Sequence, residues 1–140
     1  MVKDPSLASL APAVVVHLVF AAIALVLGPV ALWAHKGSRG HRAFGYAWVT
    51  AMAGAALSAF FIRSTLGWQW AGFSPIHLLA LATLAGLAGA IHAIARGRVA
   101  LHRKAMQRTY FGACVGAGLF ALLPGRYLGD LLWHHALGLV

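Results

Sequence analysis

The chain has 140 residues, of which 61% are hydrophobic and only 9% charged, with 11 Lys or Arg against 2 Asp or Glu. A soluble chain of this length carries about a quarter of its residues charged, so the composition excludes an ordinary water-soluble domain and indicates an integral membrane protein. The net charge of +9 does not indicate a nucleic-acid binder, because most Lys and Arg gather in two short connections between apolar runs, where they set topology.

Residues 1–10 place Lys3 beside Asp4 and lack a strongly basic leader, so the apolar run that follows is read as an uncleaved span over residues 11–33. It holds one titratable group, His17, and the pair Gly28 and Pro29, which is expected to bend the helix. The loop HKGSRGHR, residues 35–42, packs three basic residues and two histidines into eight positions. A second span is expected over 44–62, ending at Arg63, with interfacial Trp68 and Trp70 in the connection beyond. The third span, 75–95, opens with Ser74 as N-cap and Pro75 at the first helical position, which puts His77 in the opening turn. About 20 residues at about 1.5 Å each match a hydrocarbon core of about 30 Å. A basic loop from Arg96 to Lys104 leads to a fourth span over 106–123, stopped by Pro124 and Gly125. Residues 126–140 are too short to cross and read as an interfacial helix.

The expected fold is therefore all-α: one transmembrane four-helix domain covering residues 1–140. Both basic loops follow odd-numbered spans, which places them in the cytoplasm and both termini on the other side, N-out and C-out. Lipid supplies no hydrophobic force between helices, so packing is assigned to small residues: the GxxxG pair Gly112 and Gly116, and the series Ala82, Gly86, Ala90.

An internal repeat relates the histidines to one another. A glycine lies 20 residues after His17, at Gly37, and 20 after His77, at Gly97; a His-Arg step follows at His41–Arg42 and again at His102–Arg103. Each half is a span, a basic loop, a His-Arg step and a second span, so two parallel hairpins can pack about a pseudo-twofold axis along the membrane normal. His17 then faces His77, and His41 faces His102 at the other side. The two levels are separated by about 24 Å of helix, so they form two sites rather than one. Opposed imidazoles are what axial ligation of haem iron requires, whereas a closed zinc site needs four ligands at one depth.

A plainer reading stands beside each assignment. His41 and His102 lie in basic loops, where a histidine is commonly just solvated, and Arg42, Arg103 and Lys104 beside them serve either topology or the pairing of haem propionates or lipid phosphates. His92 is a substitute ligand near the loop side; His35 and the adjacent His134 and His135 read as interfacial. Asp4 and Asp130 are the only carboxylates and lie near the two ends, which leaves no acidic pair for general acid–base chemistry. Cys114 has no histidine near it in sequence and reads as packing.

The boxes FSPIHLL, HRKAM and ALLPGR, with the segment HKGSRGHRAFGYAWV, resemble a family of small bacterial four-helix membrane proteins of unknown function, over residues 17–126. The resemblance implies a bacterial inner-membrane protein in which His17, His41, His77 and His102 recur, and it carries no activity. A second likeness is to the small haem-b cytochromes that exchange electrons with quinones. Two classes of function follow from this point. One is an electron carrier holding haem b and working with quinone; the other is a non-enzymatic accessory or assembly subunit of a larger respiratory or photosynthetic complex. Copper or zinc binding by the same four histidines is a further alternative, weakened for copper by only 3 methionines and 1 cysteine.

Overall fold

The computed structural model describes residues 12–62, 75–122 and 127–138, and among them every regular element is helical. In chain order these are α1 (Pro12–Trp33), α2 (Arg39–Ala59), α3 (Pro75–Ala95), α4 (Val99–Thr109), a π-helical segment (Tyr110–Gly116) leading into α5 (Ala117–Ala121), and α6 (Tyr127–Asp130) leading into a second π segment (Leu131–Ala136).

Among the described residues, α1 and α3 are the two helices long and apolar enough to cross a membrane. Both are inside-out. On α1 the large residues Val16, Val19, Ile23, Val26 and Val30 recur at three- and four-residue spacing and are all exposed, while Ala24, Gly28 and Ala31 are buried. A helix in water buries its large apolar side chains; one that turns them out and keeps its small ones in is built for lipid, where close backbone approach rather than hydrophobic burial holds helices together. α3 repeats this, with Leu78, Leu81, Ile91 and Ile94 outside and Ala80, Ala90 and Ala93 inside.

Several boundaries differ from the sequence reading, each for a local reason. α1 runs as one helix with Pro29 inside it. α2 begins at Arg39, five residues before the expected 44, because Ser38 takes an extended conformation and its Oγ accepts the His41 N–H at 3.1 Å. The second span ends at Ala59, with Phe60 to Ile62 already in a turn. The fourth helix begins at Val99 instead of 106, so Arg103 and Lys104 ride on its second turn and Arg108 on its last. Its register then slips into π geometry over seven residues, Tyr110–Gly116. The N-cap expected at Ser74, the connection with Trp68 and Trp70, and Pro124 with Gly125 lie outside the described residues.

α1 packs on α2, α2 on α3 and α3 on α4, and the π segment closes back on α1. The order round this ring sets α1 diagonally from α3 and α2 diagonally from α4. The centre is aromatic: Trp48 of α2 and Tyr110 of the π segment meet with ring centroids 6.3 Å apart, among Ala24, Met52 and Leu87. Tyr110 Oη also reaches Leu25 O on α1 at 3.4 Å. A second cluster, Ala56, Ala59 and Ala80, joins α2 to α3. The C-terminal helix is tied back by Trp133, whose Nε1–H donates to Leu122 O at 3.0 Å.

Of the expected small-residue positions, Gly86 makes a close contact and Ala90 is buried, while Gly112 and Gly116 do not pack. A side chain at Gly112 would meet nothing within 4 Å, and at Gly116 only the Phe111 carbonyl of its own helix at 3.5 Å, so the GxxxG pair does not make the packing seam. Ala82 is likewise exposed. The seams lie at Gly28, where the Tyr110 ring rests 2.1 Å from a would-be Cβ, at Gly54 under Phe20 (2.8 Å), and at Gly86 under Thr109 Oγ1 (2.9 Å). The slip into π geometry begins at Tyr110, the residue seated on Gly28.

Candidate functional site

The two helical hairpins carry matching turns. Gly37 and Gly97, the glycines that the repeat pairs, both adopt positive φ, 82° and 70°; a Cβ is strained there, which is why both positions are glycine. From these turns the chain enters α2 and α4 with a histidine in the first turns of each. His41 Nδ1 lies 2.9 Å from Ala31 O of α1, and His102 Nδ1 lies 2.9 Å from Ala90 O of α3. The second helix of each hairpin thus reaches back to a carbonyl on the first. Both imidazoles are half-buried rather than solvated, contrary to the plain reading of loop histidines.

At the far end of the ring, His17 of α1 places Nδ1 2.8 Å from Ala55 O and 3.3 Å from Ser58 Oγ. Ser58 gives its own hydrogen to Ala55 O at 2.9 Å, so its oxygen faces His17 as an acceptor. His77 of α3 is 9% exposed; its Nε2 lies 3.3 Å from Phe60 O, and its ring stands 5.8 Å from that of Phe60. His17 and His77 therefore sit on diagonal helices and converge on the last turns of α2, within five residues of each other along it. His41 and His102 serve the loop end. His17 and His77 each contact the end of α2, and His41 and His102 each reach a carbonyl of the preceding helix.

A carbonyl oxygen only accepts, so the nitrogen facing it carries the hydrogen. His17, His41 and His102 are Nδ1–H tautomers by this argument, and in the neutral ring the lone pair is left on Nε2. His77 has the opposite sense, Nε2–H toward Phe60 O. Of the other residues singled out in the sequence, Arg42, Arg103, His35 and His92 are exposed. His134 and His135 lie in the second π segment, with side chains outside the described residues. Cys114 is half-buried, its Sγ 3.9 Å from Met52 Sδ. Among the described residues no group of three or more His, Cys, Asp or Glu gathers where one metal ion could be held.

Sequence reasoning missed the centre. Trp48 is 3% exposed, and its Nε1–H has no hydrogen-bond partner among the described residues. In the expected span over 44–62 Trp48 is only the fifth residue, where it passes for an interfacial indole; the start of α2 at Arg39 puts it in the middle of the helix.

The inside-out helices and the hydroxyls of Thr50, Thr83 and Thr109, each bonded back to a carbonyl four residues earlier, define a helical protein made for an apolar solvent. Residues 14–129 match the family described as Predicted membrane protein (DUF2306), and the chain belongs to that family. No curated protein and no solved structure matches it.

Proposed function

We propose that this chain is an electron carrier of the bacterial inner membrane, its four helical rods crossing the bilayer with the basic loops cytoplasmic, and that its paired histidines hold b-type haem in exchange with membrane quinone. The observation that carries this reading is the set of fixed tautomers. His17, His41 and His102 each commit Nδ1–H to a backbone carbonyl, the outer-sphere bond that orients imidazoles for ligation and directs the Nε2 lone pair outward. His17 and His77 form the stronger pair, one on each diagonal helix; His41 and His102 form the other. The α2–α3 contact is made by the small residues Ala56, Ala59 and Ala80 with Phe60, Ile76 and Leu84 packed against them, and a flat ring would take the place of some of these contacts. Arg42 and Arg103 offer cations for propionates. Bound haem supplies one-electron oxidation and reduction at iron; the chain's part is to orient the ligands and exclude water.

A second reading is favoured by the same bonds. They join α1 to α2 and α3 to α4 without any ligand, which suits a non-enzymatic accessory or assembly subunit whose histidines are helix clamps. A copper or zinc ion held by these residues has two imidazoles at each level to draw on.

The deciding experiment is an absorption spectrum of protein purified from cells supplied with haem. A Soret band that disappears in His17→Ala or His77→Ala supports the haem reading. Folded, colourless protein rejects it and leaves the clamp, with co-purification then identifying the larger complex.

A further inference from the structure

We infer that the loop end of the molecule is a docking surface for anionic phospholipid headgroups. Lys36, Arg39 and Arg42 of the first connection and Arg96, Arg98, Arg103 and Lys104 of the second are all exposed at that one end. Among the described residues the one carboxylate is Asp130, on α6, which follows the far end of the fourth rod. Among the described residues these cations therefore have no carboxylate to neutralise them where they stand. Only Lys36 is spent internally, its Nζ donating to Leu32 O at the end of α1.

Charge alone would suit any polyanion. What selects a lipid is the apolar surface directly beneath it. Trp33 and Phe44 beside the first connection, and Val99 and Leu101 among the cations of the second, are exposed. A phosphate held by the cations has its acyl chains lying along these side chains, so both halves of a phospholipid are matched in order along the membrane normal. A nucleic acid or a free phosphate has no use for the apolar half. Each Lys or Arg at an anionic surface adds to the attraction, which is screened within a Debye length, so a few engaged cations produce a clear preference over zwitterionic lipid.

The test uses the full chain, delipidated in mild detergent, titrated with phosphatidylglycerol, with phosphatidylcholine and with inorganic phosphate while lipid binding is followed by native mass spectrometry. The expected result is phosphatidylglycerol bound at least about tenfold more tightly than phosphatidylcholine at low salt, with the preference collapsing at about 0.5 M NaCl. The Arg98→Gln, Arg103→Gln, Lys104→Gln triple variant should lose most of it. Equal binding of the two lipids overturns the proposal, as does displacement of phosphatidylglycerol by millimolar inorganic phosphate. The salt series on the unaltered chain decides the matter even where the triple variant fails to insert.

Discussion

At the scale of single residues, the fold turns on a few places where one helix must come closer to another than a methyl group allows. The Tyr110 ring occupies the space a side chain at Gly28 would need, at 2.1 Å, and it is tied to α1 and to Trp48, so it has nowhere to go. Gly28→Ala is expected to cost about 1–3 kcal/mol as an overpacked core. Gly112→Ala, facing open space, should stay within about 0.5 kcal/mol of the parent. Thermal unfolding in one detergent compares them directly. Trp48 provides a test of opposite sign. Its buried N–H lacks a partner among the described residues, and such a group costs about 1–3 kcal/mol. Trp48→Phe keeps an aromatic ring against Tyr110 while removing that donor, and is expected to be neutral or stabilising; Trp48→Ala opens a cavity and should cost about 3–5 kcal/mol. If Phe destabilises as much as Ala, the indole N–H is bonded after all.

At the scale of elements, the hairpin is the unit. In each one a positive-φ glycine reverses the chain and a histidine early in the second helix bonds a carbonyl on the first. Interhelical hydrogen bonds in membranes average about 0.6 kcal/mol and reach about 1.7. His41→Ala and His102→Ala are each expected to lower stability within that range, and, being on separate hairpins, to add in the double variant. Guanidinium-free unfolding in mixed detergent micelles measures the sum. A deficit that appears only when haem is supplied would assign these two histidines to the cofactor rather than to the hairpin. Gly37→Ala and Gly97→Ala should each be strained by about 1–2 kcal/mol, since both backbones lie in the left-handed region.

At the scale of the whole molecule, the ring order puts the two connections at one end and the last turns of α2 with the start of α3 at the other. In a Cys114→Ser background, Lys36→Cys and Arg96→Cys should react with a membrane-impermeant thiol reagent from the same side of sealed vesicles. Labelling from opposite sides would break the ring. The lipid preference of the loop end and the absorption spectrum belong to this scale too, since both depend on the two hairpins acting together.

The helical class, the membrane environment, the limits of α1 and α3 and the pairing of Gly37 with Gly97 were legible from residue order, because each depends on composition or on neighbours within a turn or two. The starts of α2 and α4 were less so: a basic, polar stretch reads as loop, and only the Ser38 cap and the histidine bonds to α1 and α3 show that helix has already begun. Of the glycines that form seams, Gly86 was legible from its spacing, whereas Gly28 and Gly54 were not. A GxxxG spacing says that one face is small, whereas a seam needs a bulky partner at the same height on another helix. Tyr110 over Gly28 and Phe20 over Gly54 are separated from their glycines by dozens of residues of chain. Local spacing decided which segments are helices and that they belong in lipid; which faces meet, and that His17 and His77 both contact the end of α2, was decided by tertiary packing, because it joins residues far apart in the chain.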